Sequence, residues 1–150
     1  RHRQSGLGRY IAQVVRKRYP DLAPRRILDL GCGPGTETIA LQEAFPDAEV
    51  HGLDLSAPFV SFAHAWAEER GMALHFRQAD AQRTGYPDGH FDLVISHILF
   101  HETWHDIAPK IFAEARRILA PGGVFLNADV PYQPARMPIP KQVTNDWQVR

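Results

Sequence analysis

The feature that most constrains this chain is a strand-like run that ends in a glycine-rich turn and continues as a helix. Residues 27–30 are apolar apart from Asp29, and Gly31, Gly33 and Gly35 follow at alternate positions. Glycine suits such a turn because the backbone must bend sharply and let a ligand approach closely. This order of elements is typical of a nucleotide-binding β–α–β unit, in which the amino terminus of the helix attracts an anionic group.

Strand and helix patterns alternate along the chain to about residue 130. Further strands are predicted over residues 49–54, 73–78, 91–96 and 124–130. Helices are predicted over residues 7–19, after the glycine turn, after Ser56 and after Asp106. Such alternation predicts an α/β fold with a doubly wound, mostly parallel sheet and helices on both of its faces.

The last twenty residues interrupt this pattern. Four prolines fall within residues 131–140, so we expect residues 131–150 to be an irregular tail with a short element near residues 143–147 and no sixth or seventh strand. We treat residues 1–150 as one domain, in which residues 1–24 form a helix and loop and residues 25–130 form the core. Because no strand is predicted after the fifth, we expect residues 131–150 to end a truncated domain.

Composition limits the partners of this chain. Its 150 residues carry 17 basic and 17 acidic side chains, so a general attraction to nucleic acid or to an anionic membrane is not expected. There is no apolar run long enough to span a bilayer, and the single cysteine, Cys32, cannot form an intrachain disulfide. We therefore predict a cytoplasmic protein without nucleic-acid or membrane partners.

Acidic residues stand at the ends of the second and third predicted strands. Asp54 lies 21 residues after Gly33, the spacing expected of a carboxylate that accepts ribose hydroxyls. Asp80 lies at the same edge of the sheet, where it would meet an adenine amino group. With the glycine turn, these two carboxylates predict a ligand that contains adenosine.

Five segments together resemble the class I S-adenosylmethionine-dependent methyltransferases. They are residues 29–35 (DLGCGPG), 52–56 (GLDLS), 78–81 (QADA), 91–96 (FDLVIS) and 117–123 (RILAPGG), and the resemblance extends over about residues 25–130. It implies a Rossmann-like sheet with strand order 3-2-1-4-5. It also implies S-adenosyl-L-methionine as cofactor and S-adenosyl-L-homocysteine as product.

The resemblance implies a role for each residue that matches a motif. Gly31, Cys32 and Gly33 would face the methionine part of the cofactor, and Asp29 would order its amino group. Asp54 would accept the ribose hydroxyls. The other positions implied are Leu55 on the adenine ring, Asp80 and Ala81 at the adenine edge, and the carbonyl of Ser96 at the ammonium group.

The resemblance leaves the acceptor open, and we predict a small molecule methylated by in-line displacement. His101, which follows the fourth strand, is the candidate base or orienting group for that acceptor. Members of this family normally continue with two more strands. We therefore expect the outer edge of the fifth strand to be open for pairing with a second copy of the chain.

Three alternatives remain at this stage. A nicotinamide-dependent oxidoreductase also begins with a glycine turn, although Thr36 stands where its fingerprint has a third glycine. Residues 101–105 (HETWH) match a zinc-hydrolase motif, but that motif needs a helix, whereas Asp106 and Pro109 predict a helix that begins later. We therefore expect no metal site. The domain could also bind its ligand without catalysing a reaction.

Overall fold

A computed structural model of the protein describes residues 6–103, 106–129 and 143–148, the last segment by its backbone alone. The helices are α1 (Gly6–Arg18), α2 (Thr36–Ala44), α3 (Ala57–Glu69) and α4 (Ala108–Ile118), with a 3₁₀ turn at Phe100–Glu102. The strands are β1 (Arg26–Leu30), β2 (Glu49–Asp54), β3 (His75–Gln78), β4 (Phe91–His97), β5 (Leu119–Asp129) and β6 (Val143–Gln148). Strands and helices therefore alternate as the sequence predicts.

The strands form one sheet with the order β3-β2-β1-β4-β5-β6. The first five strands are parallel, which confirms the predicted order 3-2-1-4-5 and the doubly wound architecture. In this arrangement β1 and β4 are neighbours although two strands separate them in sequence. The strand order thus reverses beside β1, and ligands of open α/β sheets bind at the carboxyl ends of the strands at such a point.

The prediction that no sixth strand follows β5 was wrong. β6 pairs antiparallel with β5, with Val124 opposite Gln148 and Asp129 opposite Val143. The predicted short element near residues 143–147 is this strand. Because β5 is paired on both sides, the predicted open edge for a second copy does not exist there. Local sequence indicated a short element there but not that it is a strand of this sheet, because a short strand is stabilised by the neighbour it pairs with.

Apolar layers cover both faces of the sheet. On one face, Ile11 and Val15 of α1 pack with residues of α2 and α3 against the sheet. On the other face, α4 packs through Ile111, Ala115 and Ile118. Both helical layers thus bury the sheet and leave its carboxyl edge free for a site. No helix among the described residues has the length and apolar character needed to cross a bilayer.

The loop between β3 and β4 is fastened to α4 by a buried carboxylate. One carboxylate oxygen of Glu114 accepts hydrogen bonds from the backbone N–H of Thr84 at 2.8 Å and from its hydroxyl at 2.7 Å. Arg117 donates to both oxygens of the same carboxylate. These hydrogen bonds, of which the one from Arg117 has the largest effect, lower the pKa of Glu114 to about 2. The loop that covers this face is therefore held by charge-assisted hydrogen bonds.

Candidate active site

A cavity of about 560 Å³ opens at the carboxyl ends of β1, β2 and β4. Its floor is the glycine turn after β1, and its walls come from β2, α2, α3 and the segment after β4. Five of the residues predicted to bind a cofactor line it: Asp29, Gly31, Cys32, Gly33 and Asp54. The structure therefore brings the predicted glycine turn and two of the predicted carboxylates together in one cavity.

The glycine turn needs glycine for two different reasons. Gly31 has φ 80°, which disfavours any other residue, and a Cβ atom there would lie 2.9 Å from Cδ1 of Leu99, so that side chain would have to shift. Gly33 has φ 51°, yet a Cβ atom there would meet nothing within 4 Å. Gly33 therefore presents bare backbone to the cavity, as a site for close approach of a ligand requires.

Asp54 joins the turn to the second strand. Its Oδ2 accepts a hydrogen bond from the backbone N–H of Gly33 at 2.8 Å, and its Oδ1 accepts one from the N–H of Ser56 at 2.8 Å. Each carboxylate oxygen has two lone pairs, so one acceptor site per oxygen remains for a ligand. The side chain is half-buried on the cavity wall, where it can both hold the turn and accept ligand hydroxyls.

Asp29 is a buried acid at the base of the cavity. Asp29 is 1% exposed, and its Oδ2 accepts a hydrogen bond of 2.6 Å from the hydroxyl of Thr38. Burial raises the pKa of Asp29 to about 7 despite that bond. A cation brought into the cavity would stabilise the ionised form of Asp29, so binding of a positive group and ionisation are coupled.

The charge of the cavity is one-sided. Among the described residues that line it are four carboxyl groups, from Asp29, Glu37, Asp54 and Glu102, and no lysine or arginine. His97 also lines it, with Nδ1 3.9 Å from Oε1 of Glu37, and burial lowers the pKa of His97. The cavity is therefore suited to a ligand that carries positive charge.

A strained residue follows β4 and lines the cavity. Ile98 has φ 53°, a left-handed conformation that is unfavourable for a β-branched side chain. The bend directs the chain away from β4, while the N–H of Ile98 still donates to the carbonyl of Ala128 at 2.9 Å. Local strain of this kind is found where a backbone is held for function, and here it places Ile98 and Leu99 on the cavity wall.

Four of the nine residues predicted to bind the cofactor do not line this cavity. Ser96 is fully buried, and its hydroxyl donates to Oδ1 of Asn127 at 2.7 Å. Leu55 is 69% exposed beside the cavity, free to pack on a ring. Asp80 and Ala81 follow β3 on the same edge, and Oδ1 of Asp80 accepts from the N–H of Gln82. Their roles remain predictions.

His101 lies behind the cavity wall. Its Nδ1 is 2.9 Å from Oδ1 of Asp129, and its Nε2 is 3.0 Å from Oε1 of Glu102. Asp129 also accepts the backbone N–H of Phe100 at 2.6 Å, so the 3₁₀ turn is anchored to β5. The first two residues of the zinc-hydrolase motif, His101 and Glu102, therefore lie in a 3₁₀ turn and not in an α-helix. His105 lies outside the described residues. The role of His101 remains a prediction.

Sequence reasoning missed three side chains that the tertiary structure brings to the cavity. Glu37 comes from the first turn of α2, Phe59 from α3 and His97 from the end of β4. Phe59 is 50% exposed, but so is its neighbour on the same helix, Phe62, at 58%, so exposure does not distinguish it. The sequence carried no signal for these residues, because only the tertiary structure brings their side chains to the cavity.

Comparison with known proteins places this geometry in a family. Residues 27–123 match the model of a methyltransferase domain. The chain is similar to the demethylmenaquinone methyltransferase of Thermus thermophilus, with 40% identity over 123 residues that cover 79% of this chain and 55% of that protein. It is also similar to the ribosomal RNA large subunit methyltransferase G of Streptomyces coelicolor, with 41% identity over 104 residues that cover 66% of this chain and 27% of that protein.

A solved structure shows the same architecture. A protein of Methanococcus maripaludis assigned to the S-adenosyl-L-methionine-dependent methyltransferases superposes with a TM-score of 0.73 at 26% identity, over 85% of this chain and 57% of that one. This chain therefore spans about half of that structure, and between a quarter and just over half of the two curated relatives.

Proposed function

Because this chain belongs to the class I S-adenosylmethionine-dependent methyltransferases, we propose that its protein transfers a methyl group from S-adenosylmethionine to a small-molecule acceptor. The observation that carries this proposal is the acidic cavity built on the glycine turn and Asp54. When bound, S-adenosylmethionine supplies a methyl group on a positively charged sulfur. The protein then has mainly to hold two reactants in line and exclude water.

The residues of the cavity fit this cofactor. Its volume lies within the range of small-molecule sites, and Gly33 exposes bare backbone to it. In the proposed arrangement Gly31 and Gly33 lie against the amino acid part, and Asp29 orders the ammonium group. Asp54 accepts the ribose hydroxyls with the lone pairs that its two backbone bonds leave free. Leu55, Asp80 and Ala81 would surround the adenine ring.

The negative charge of the cavity favours S-adenosylmethionine over the cofactor of a nicotinamide-dependent oxidoreductase. A dinucleotide brings two negative charges on its pyrophosphate, whereas S-adenosylmethionine brings a sulfonium and an ammonium. The acidic lining of the cavity repels the first and attracts the second, and Asp29 contributes its full charge once the bound cation favours its ionised form. The same negative charge favours S-adenosylmethionine over S-adenosylhomocysteine, because the sulfur of the latter is neutral. This difference assists product release.

A small acceptor is supported by the apolar part of the cavity lining. Phe59, Ile98 and Leu99 supply it, alongside the polar side chains of Glu102 and His97. The sequence has zero net charge, and the acidic cavity disfavours RNA phosphates. The similar Thermus thermophilus protein is named for a quinone acceptor and the Streptomyces coelicolor protein for ribosomal RNA. The cavity walls favour a small acceptor, such as a quinone, over ribosomal RNA.

We further propose that His101 orients or deprotonates the acceptor, with Asp129 fixing its ring. Nδ1 contacts Asp129 and Nε2 contacts Glu102, which lines the cavity, so His101 acts on an acceptor through Glu102 or after the contact at Nε2 opens. The test is His101→Gln, which should reduce the rate of methyl transfer to acceptors that lose a proton. Binding of S-adenosylhomocysteine should not change.

Calorimetry with three ligands tests the proposed function. We expect S-adenosylmethionine and S-adenosylhomocysteine to bind at one site per chain and NADH to give no heat. A methyl-transfer assay with radiolabelled cofactor would then compare quinones, carboxylic acids, amines and ribosomal RNA as acceptors. Absence of heat with both sulfur compounds would contradict the proposal. Transfer to RNA alone would contradict the acceptor class.

A further inference from the structure

Three side chains of types that can bind a metal ion lie together at the opposite end of the sheet from the cavity. Glu49 and His51 are two residues apart on β2 and so point to the same face of the sheet. His75 on β3 lies directly beside His51 in the parallel register. The three residues stand at the amino ends of β2 and β3, whereas Asp54 stands at the carboxyl end of β2.

The ligand atoms of these three residues converge. Nε2 of His51 lies 2.9 Å from Oε1 of Glu49, and Nε2 of His75 lies 3.7 Å from the same oxygen. All three atoms lie within 4.8 Å of one another. A tetrahedral zinc ion, about 2.0–2.2 Å from such ligands, needs ligand atoms roughly 3.3–3.6 Å apart. The exposed His75 ring stacks on the His51 ring at a centroid distance of 4.8 Å. To reach that spacing, the His75 ring must rotate and the 2.9 Å contact between His51 and Glu49 must lengthen.

The second nitrogen of His51 has a partner. Its Nδ1 lies 3.1 Å from the hydroxyl of Tyr86, and its ring packs edge-on against Tyr86 and Phe91 at 5.4 Å and 5.3 Å. A hydrogen bond at the far nitrogen fixes the ring and the tautomer of a metal-bound histidine. The His51 ring is therefore already oriented with Nε2 toward Glu49 and His75.

The exposure of the cluster also suits a metal. The side chains of His75 and Glu49 are 57% and 50% exposed, so a fourth position is open to water.

We propose that Glu49, His51 and His75 form a zinc site, with water as the fourth ligand. Two imidazoles and one carboxylate are a ligand set that zinc accepts, whereas magnesium requires six oxygen ligands. This site is separate from residues 101–105, where the sequence contains a zinc-hydrolase motif. It is also separate from the proposed methyl-transfer site, because His51 and Glu49 lie three and five residues of extended strand, roughly 10–16 Å, from Asp54.

Calorimetric titration with zinc chloride tests the site, using the full chain purified without a metal-affinity tag. We expect one zinc per chain in the wild type and a loss of about tenfold or more in affinity in His75→Gln. His64→Gln is the matched control, since His64 is equally exposed and contacts Glu68 on α3 without a third ligand. His101→Gln is the control for the cluster behind the cavity. Neither control should change the affinity.

Tyr86→Phe provides a second test that leaves all three ligands in place. Loss of the hydroxyl should weaken zinc binding about tenfold through the orientation of His51. Equal affinity in wild type and His75→Gln, or a loss confined to His101→Gln, would overturn the proposal. Unchanged melting temperature and S-adenosylhomocysteine binding in His75→Gln would show that the variant is folded and that the two proposals stand separately.

Discussion

Oδ2 of Asp54 accepts a hydrogen bond of 2.8 Å from the backbone N–H of Gly33, which lies 21 positions earlier in the chain. The other oxygen of Asp54 accepts the N–H of Ser56 at the start of α3. One carboxylate thus joins the glycine turn, the end of β2 and the next helix. In our proposal the same carboxylate also binds the ribose, so binding and local architecture share one side chain.

Asp54→Asn should impair both roles. An amide has one acceptor oxygen, so one of the two backbone N–H groups loses its partner. We expect the free energy of unfolding to fall by about 1–2 kcal/mol, and S-adenosylhomocysteine to bind about tenfold more weakly or worse. Chemical denaturation and calorimetry measure these changes. Asp47→Asn, in the exposed loop before β2, is the control and should behave as wild type.

Gly33→Ala separates backbone strain from ligand approach. Both Gly33 and Gly71 have positive φ, at 51° and 65°, and a Cβ atom on either would meet nothing within 4 Å. Each alanine variant should therefore lose about 1 kcal/mol of stability. Only Gly33 lines the cavity, so Gly33→Ala alone should weaken cofactor binding in calorimetry. Equal cofactor affinity in the two variants would contradict our assignment of the turn.

Asp29→Asn should raise stability while it weakens binding. In the folded protein burial raises the pKa of Asp29 to about 7, compared with about 4 in an unfolded chain. Between these pH values the folded state holds a proton that the unfolded state releases, so this residue's contribution to stability is lost as pH rises from 4 to 7. Asparagine has no such proton.

The difference in unfolding free energy between Asp29→Asn and wild type should therefore grow from pH 4 to pH 8, reaching about 1–4 kcal/mol. Denaturation at a series of pH values measures it. At pH 8 the variant should also bind S-adenosylmethionine more weakly, because the ammonium loses an ionised partner. A difference that is flat with pH would show that Asp29 titrates normally in the folded protein.

Glu114→Gln should show the opposite pH dependence. The hydrogen bond from Arg117 and those from Thr84 hold the pKa of Glu114 at about 2 in the folded state. Its stabilisation is therefore fully present above about pH 4.5 and is lost as pH falls toward 2. At pH 7 we expect the variant to be about 2 kcal/mol less stable, with the deficit shrinking in acid. Glu69→Gln, exposed on α3, should show no deficit.

The accuracy of the sequence prediction varied with how local each feature is. The bounds of β2 matched residues 49–54 because the segment ends at an acidic residue that begins a turn. β5 was predicted from residue 124, but it begins at Leu119 and passes through a register shift opposite Phe91 and Leu93. A glycine-containing turn looks like a strand boundary in sequence, while pairing with β4 makes it an irregularity inside the strand.

The sequence by itself determined the alternation of strands and helices, the glycine turn and the carboxylates at the strand ends. Each of these depends on residues that lie close together in the chain, so periodicity and turn chemistry suffice to predict them. Tertiary structure decided that Glu37, Phe59 and His97 meet in one cavity, that β6 pairs with β5, and that Glu49 and His75 converge on His51. Those contacts join distant segments, and only the register of the sheet and the packing of helices across it fix which segments meet.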